Sequence, residues 1–189
     1  MIRIAVLGGI GSGKSYVAKQ FGYPVFNADI EVAKIYRKNR NCYNKLKKIL
    51  PKYIISFPIR KKELSNAIMI NKNNIKKINK IVHPEVRLSM KKFIKKNKKK
   101  KIIILDIPLL LENQINNKGD VLVFVEANKK AINKRLKKRA NYSKKTFNKL
   151  KKLQLPLELK KKKSNFIIKN NFKSHIIKKN VKSILERVL

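Results

Sequence analysis

Eight residues near the start of the chain have the types and the spacing of a phosphate-binding loop. Residues 8–15 fit the pattern G-x-x-x-x-G-K-[ST], in which Gly8 and Gly13 are the fixed glycines. Glycines let the backbone turn tightly and bring successive N–H groups onto phosphate oxygens. The pattern expects Lys14 to reach the β- and γ-phosphates and Ser15 to hold Mg²⁺. It therefore predicts that the chain binds a nucleoside triphosphate.

The elements that must position this loop can be read from the hydrophobic pattern. A short apolar run precedes the loop, and helical spacing of apolar residues follows it, which is the context that the motif requires. The predicted strands are 2–7, a turn and short strand at 23–26, 102–106, 121–125 and 166–168. Strands that alternate with helices predict an α/β fold, in which helices cover both faces of a parallel sheet.

Two carboxylates follow predicted strands at the edge of the sheet where ligands bind in such folds. Asp106 ends a continuous apolar strand, at a position where proteins with this loop often place a carboxylate that supports Mg²⁺. Asp29 follows the short second strand, which places it beside the phosphate loop. Asp29 could also cap a helix that begins near Ile30, and the two roles are compatible.

Helical spacing predominates in the rest of the chain. A helical stretch from residue 30 to about residue 97, with breaks expected at Pro51, Pro58 and Pro84, is longer than a simple crossover and predicts a subdomain. A very basic helical segment at 142–163 is predicted to break near Pro156, and an amphipathic helix closes the chain at 173–189.

The charge of the chain is extreme, at +40 from 50 Lys and Arg against 10 Asp and Glu. Such a surface could attract nucleic acid or an anionic membrane. The excess is mostly Lys, accompanies many Ile and Asn, and is spread over nearly every predicted helix, which favours drift toward A/T-rich codons instead. Cys42 is the single cysteine, which indicates a reducing compartment, and no apolar run approaches the ~20 residues of a membrane span. We expect a cytoplasmic protein with no specific nucleic-acid partner and no membrane partner.

Five stretches taken together resemble the dephospho-CoA kinase family, in order and in spacing. They are the loop 8–15, Asn27-Ala28-Asp29, His83-Pro84-Glu85-Val86-Arg87, Leu105-Asp106-Ile107-Pro108-Leu109-Leu110-Leu111-Glu112 and Gln154-x-Pro156-Leu157-Glu158. The resemblance covers essentially the whole chain. It implies transfer of the γ-phosphate of ATP to the 3′-hydroxyl of dephospho-CoA, with Mg²⁺, in the last step of coenzyme A synthesis.

The resemblance also implies an architecture, an α/β P-loop kinase core with a parallel sheet, a helical acceptor-binding insertion and a helical lid. The core would comprise residues 1–29, 100–133 and 164–189, the acceptor-binding domain 30–99 and the lid 134–163. We expect a monomer or a weak oligomer.

Residue roles follow from the resemblance by position. The catalytic set is Asp29 as base with Lys14 and Arg139; the nucleotide set is Gly9, Gly11, Ser12, Gly13, Lys14, Ser15, Tyr16, Arg135, Arg139 and Asn170. The acceptor set is His83, Arg87, Leu110 and Glu112, and the Mg²⁺ set is Ser15 and Asp106.

From spacing alone, a lone histidine such as His83 is more typical of a helix end or a core. Arg135 and Arg139 are four residues apart and share a helix face.

The chain departs from the family at several positions. The family usually has two acids where Asn27 and Asp29 stand, so Asp29 is the one candidate base in that stretch. Tyr16 occupies a position where threonine is common. Ser164-Asn165 and Phe172 replace an Ala-Asp pair and a glycine, which affects the expected adenine contacts and leaves the phosphate chemistry unchanged.

Two other functions compete with this interpretation. Another P-loop kinase, of a small molecule or a nucleotide, would lack the His-Pro and Pro-Leu-Leu-x-Glu signatures. A nucleic-acid-binding ATPase would have a concentrated basic face or aromatic stacking platforms, whereas this chain has no Trp and no interleaved aromatic-basic motif.

Overall fold

The apolar runs form a parallel β-sheet in the computed structural model, which describes residues 1–137, 147–148, 151 and 153–189. Within those residues the sheet has five strands in the order β2-β3-β1-β4-β5. The strands are β1 (Ile2–Gly8), β2 (Val25–Asn27), β3 (Ile102–Asp106), β4 (Val121–Ala127) and β5 (Phe166–Asn170). All neighbouring pairs are parallel, which confirms the predicted fold class.

Helices connect these strands. They are α1 (Lys14–Gln20), α2 (Ala28–Lys38), α3 (Arg40–Ile49), α4 (Lys61–Ile70), α5 (Asn74–Lys96), α6 (Lys129–Lys137), α7 (Leu157–Lys162) and α8 (Ser174–Val188). Much of the segment predicted as a basic helix at 142–163 lies outside the described residues. Pro156 directly precedes α7, as expected for a residue that cannot continue a helix from the preceding segment.

Alternate side chains of the strands are buried on both faces of the sheet. On one face, Ile4 and Val6 pack with residues of α1 and α8 in a single hydrophobic cluster. On the other face, Ala5 and Leu7 are also buried. Burial on both faces explains why these strands are continuously apolar instead of alternating with polar residues.

The chain divides into two compact units. One comprises Met1–Asn27 with Asn97–Leu189 and contains the sheet, and the other comprises Ala28–Lys96. The second unit consists of helices around its own core, in which Cys42, Leu46 and Ile54 are fully buried. No helix among the described residues is long and apolar enough to cross a membrane.

Two helix boundaries in the second unit differ from the prediction. Pro84 does not break a helix, because α5 runs through it without interruption. Ile78 and Val82, one turn apart in α5, are buried in the core, and this packing stabilises the helix across the missing proline N–H. In addition, α2 begins at Ala28, so Asp29 lies in the first turn of the helix and is not its N-cap.

Candidate active site

The phosphate loop follows β1 and leads directly into α1. Gly13 adopts a φ of 93°, and a Cβ atom there would lie 2.4 Å from Nδ2 of Asn170. Gly11 adopts a φ of 81°, and a Cβ atom there would lie 3.0 Å from a methyl group of Ile132 in α6. Glycine is therefore required at both positions, because of the left-handed backbone and because of the neighbouring side chains.

Lys14 lies back over the loop that precedes it. Its Nζ donates hydrogen bonds to the carbonyl oxygens of Gly9 at 2.8 Å and Gly8 at 3.2 Å. Its side chain is half-buried, whereas Ser15, next in the chain, is exposed. The ammonium group and the hydroxyl group are thus both at the start of α1, where the dipole of the helix also favours anions. This arrangement fits the phosphate groups of a nucleotide.

Asn170 supports the loop from the end of β5. Its Nδ2 donates to the carbonyl oxygen of Ser12 at 2.7 Å, and its Oδ1 accepts from the backbone N–H of Phe172 at 2.8 Å. The residue is 3% exposed. Asn170 thus connects the end of β5 to the phosphate loop through hydrogen bonds. The contact with the nucleotide base that the resemblance implies stays a prediction.

Asn27 and Asp106 end two neighbouring strands. They are register partners of β2 and β3, and Nδ2 of Asn27 donates a hydrogen bond to Oδ2 of Asp106 at 2.5 Å. Asp106 is 2% exposed, so this amide replaces part of the solvation that its carboxylate loses. A buried carboxylate at the ligand-binding edge of the sheet is the donor type that Mg²⁺ prefers.

No group of three or more His, Cys, Asp or Glu side chains among the described residues could hold a metal ion. Mg²⁺ in kinase sites is characteristically held by one or two protein oxygens together with substrate phosphates and water. Ser15 and Asp106 supply oxygen ligands of that kind, so their chemistry fits an ion that arrives with a nucleotide.

The predicted acceptor residues of the helical unit lie in α5. His83 is half-buried, and Arg87 lies one helical turn further along. Burial lowers the pKa of His83 below its usual value, and the positive charge of Arg87 lowers it further. His83 is therefore biased toward its neutral form. Asp29, the predicted base, is exposed in the first turn of α2.

Leu110 and Glu112 follow β3, and the structure gives each a place inside the protein. Leu110 is 1% exposed. Glu112 forms a 2.6 Å ion pair with Lys160 of α7, whose side chain is 1% exposed, and it also accepts the backbone N–H of Leu155 at 2.9 Å. Glu112 thus attaches the segment around α7 to the core. The acceptor contacts implied for Leu110 and Glu112 stay predictions.

Two residues expected near the nucleotide have partners close to the loop. The hydroxyl of Tyr16 donates to Oγ of Ser174, at the start of α8, at 2.8 Å. The guanidinium of Arg135 lies over the ring of Phe172, 4.4 Å from its centroid. Arg139 lies outside the described residues.

Lys160 is a residue of this region that the sequence alone did not indicate. No feature of the sequence distinguishes Lys160, because it is one of 50 basic residues and its ion-pair partner, Glu112, is distant in the sequence. Phe172 stood out as a departure from the family glycine, and it adopts a left-handed φ of 65° that favours glycine.

A phosphate loop between β1 and α1 of a parallel sheet places this protein in the class of P-loop nucleotide-binding proteins. A crystal structure of TT1252 from Thermus thermophilus has a similar fold, with a TM-score of 0.79, 26% identity and coverage of 100% of this chain and 98% of that one. A dephospho-CoA kinase from Campylobacter jejuni shares the fold with a TM-score of 0.67 at 23% identity, over 98% of this chain and 96% of the other.

The sequence comparisons identify the family. The family model described as dephospho-CoA kinase matches residues 2–175. A dephospho-CoA kinase from Wolbachia pipientis wMel is 34% identical over 188 residues, which cover 97% of this chain and 96% of the relative. The chain belongs to the dephospho-CoA kinase family, and it is accordingly a phosphotransferase of the kinase type.

Proposed function

We propose that this protein transfers the γ-phosphoryl group of ATP to the 3′-hydroxyl of dephospho-CoA and so produces coenzyme A. The observation that carries the proposal is the intact phosphate loop, with Lys14 bonded to the loop carbonyl oxygens, in a chain of this family. ATP as phosphate donor follows from the family, and dephospho-CoA as acceptor follows from the names of the relatives.

The chemistry demands positioning and neutralisation of charge more than covalent participation by the protein. In the proposed mechanism the loop N–H groups and Lys14 bind the β- and γ-phosphates. Ser15 and Asp106 would hold Mg²⁺, which neutralises negative charge on those phosphates. Asp29 orients the ribose 3′-hydroxyl and accepts its proton as the oxygen attacks the γ-phosphorus, and the bond from that phosphorus to the bridging oxygen breaks, so that ADP leaves.

Arginines complete the proposed mechanism. The planar guanidinium group of Arg135 or Arg139 donates two parallel hydrogen bonds to phosphate oxygens, which suits it to stabilise charge on the transferred group. His83, Arg87, Leu110 and Glu112 are assigned to the acceptor side. A cytoplasmic location and a monomeric or weakly oligomeric state stay predictions.

A coupled assay with ATP, Mg²⁺ and a panel of acceptors tests the proposal. We expect phosphorylation of dephospho-CoA, with coenzyme A identified by chromatography, and poor turnover of nucleoside monophosphates. Lys14→Met provides the matched control, because it removes the ammonium group from the loop and should abolish turnover. Equal or faster phosphorylation of a monophosphate would contradict the proposed acceptor.

A further inference from the structure

An aromatic ring lies beside the phosphate loop in a backbone conformation that is unfavourable for it. Phe172, between β5 and α8, has a φ of 65°, in the left-handed region that bulky residues rarely adopt. The surroundings must therefore hold the residue in place. Its backbone N–H is bound by Asn170 Oδ1 at 2.8 Å, and Asn170 in turn holds the carbonyl oxygen of Ser12.

These bonds fix the ring relative to the loop. Cε1 of Phe172 lies 3.6 Å from the position that a Cβ atom on Gly13 would occupy. The ring is therefore next to the last glycine of the phosphate loop, one residue before Lys14. It is half-buried, so part of its surface is open to a ligand.

A cation lies over one face of the ring. Cζ of Arg135 is 4.4 Å from the ring centroid, and the Arg135 side chain is exposed. α6, which carries Arg135, also contacts the loop, because side-chain atoms of Ile132 and Leu136 lie 3.0 and 3.2 Å from the Cβ position of Gly11. A phenyl face and a planar guanidinium thus lie together beside the loop.

Aromatic rings and arginine guanidinium planes are the two surfaces on which nucleobases characteristically stack. From this pair we propose that Phe172 is the base-stacking residue of the nucleotide site. The base of ATP takes the place of the guanidinium on the face of the ring, and Arg135 covers the opposite face of the base. The identity of the nucleotide rests on the proposed function; the stacking surface is argued from Phe172, Arg135 and the loop.

Stacking on a phenyl ring uses the π-face that every base has, and it involves no hydrogen bond to the base edge. Phe172 should therefore increase the affinity for purine nucleoside triphosphates in general. It should leave the affinity for a triphosphate without a base unchanged. This difference separates a stacking role from a role in shaping the loop.

The test compares the binding of ATP and of inorganic tripolyphosphate to the full-length protein by calorimetry. Phe172→Gly is the main variant, because glycine adopts the left-handed backbone readily and the variant should fold at least as stably as the wild type. We expect ATP to bind roughly ten- to a hundredfold more weakly, the range measured when an aromatic partner of a base is removed. Tripolyphosphate should bind as it does to the wild type. Phe172→Tyr should retain the wild-type affinity for ATP, and Phe172→Leu should resemble Phe172→Gly.

Two results would overturn the inference. One is equal affinity of the wild type and Phe172→Gly for ATP. The other is an equal loss for ATP and tripolyphosphate, which would mean that the ring only supports the loop. Neither measurement involves the acceptor, so an inability to phosphorylate dephospho-CoA would count against the proposed function and not against stacking on Phe172.

Discussion

Asn27 and Asp106 meet at the carboxyl ends of two neighbouring parallel strands, where the amide of Asn27 donates a hydrogen bond to the buried carboxylate of Asp106. The amide fixes the orientation of a carboxylate that we assign to Mg²⁺. A neutral donor at position 27 also avoids the repulsion that a second carboxylate would cause at this distance. The pair therefore presents one oriented charge at the ligand-binding edge of the sheet.

Asp106→Asn should raise the Mg²⁺ concentration required for half-maximal activity by about 10–100-fold, the usual effect of losing a residue that orients or supports a bound metal. Asparagine keeps the size of the side chain and an oxygen that can accept from Asn27, so the fold should persist. Titration of activity and of ATP binding with Mg²⁺ measures the effect. Glu126→Gln, which removes a partly exposed carboxylate, is the control. An unchanged Mg²⁺ requirement in Asp106→Asn would contradict the assignment.

Glu112→Gln should destabilise the protein strongly in the absence of any ligand. Lys160, 1% exposed, would lose its carboxylate partner at 2.6 Å, and an unpaired buried charge costs about 3–5 kcal/mol. Denaturant unfolding gives the change in the free energy of unfolding.

The neighbouring pair of Lys161 and Glu126 is a matched control for this prediction. It has a similar separation of 2.7 Å, but both side chains are about one third exposed. Solvent screens such a pair, so Glu126→Gln should leave the free energy of unfolding almost unchanged. Combining Glu112→Gln with Lys160→Met should recover much of the loss, because the buried charge is then removed as well. Equal effects of Glu112→Gln and Glu126→Gln would show that the Lys160 pair is no more than a surface contact.

The sequence predicted those features that depend on neighbours along the chain. The strand, loop and helix around Gly13 are specified by an apolar run, by glycine spacing and by a helical pattern, all of which are local. The prediction of a helix break at Pro84 was wrong, because the packing of Ile78 and Val82 in the core outweighs the local effect of proline on the helix.

Contacts between distant residues could not be predicted in the same way. Asn170 donates a hydrogen bond to the carbonyl oxygen of Ser12, which is 158 positions earlier in the chain. Glu112 forms its ion pair with Lys160, and nothing local in the sequence distinguishes this lysine from the other basic residues among the 50. Only the folded arrangement of the strands brings these groups together. The ring of Phe172 became interpretable for the same reason, once its φ and its contact with Arg135 were known.

His83 should make the stability of the protein depend on pH below neutrality. Burial and the charge of Arg87 lower its pKa in the folded state from the usual 6.5, so the unfolded chain takes up the proton first as the pH falls. The contribution of His83 to the free energy of unfolding is complete above pH 6.5. It is lost progressively as the pH falls from there toward the lowered pKa.

Unfolding measurements from neutral to mildly acidic pH, on the wild type and on His83→Gln, test this linkage. The variant should show a flatter dependence on pH. Arg87→Met should move the pKa of His83 part of the way back, since burial, the larger cause, remains. NMR titration of the imidazole protons reports that pKa directly. A midpoint at or above 6.5 in the folded wild type would contradict the prediction.

Arg139→Ala should lower kcat/KM substantially, whereas Lys137→Ala should leave it nearly unchanged. Lys137 is exposed at the end of α6 and is the matched basic control. The reason lies in the guanidinium group, which binds phosphate oxygens through two donors, while an ammonium group is a point charge. Arg139→Lys should therefore be closer to Arg139→Ala than to the wild type. Equal effects of Arg139→Ala and Lys137→Ala at fixed ionic strength would indicate that Arg139 is an ordinary solvated side chain.

Asp29→Asn should lower kcat by about 10²–10⁴-fold, the usual contribution of a general base, because the amide cannot accept the proton of the 3′-hydroxyl. The affinity for ATP should stay the same, since the phosphates are assigned to the loop and to Lys14. Steady-state kinetics and ATP binding measure the two quantities separately.

Glu31→Gln is the matched control for Asp29, because Glu31 is the other acid in the first turn of α2. Each variant removes one negative charge near the positive end of the helix dipole, so both should lose a similar, small amount of stability. Only Asp29→Asn should show the large decrease in kcat that follows from slower phosphoryl transfer. If kcat of Asp29→Asn stays within a few-fold of the wild type, or if Glu31→Gln is equally impaired, the carboxylate of Asp29 contributes to the helix and not to proton transfer.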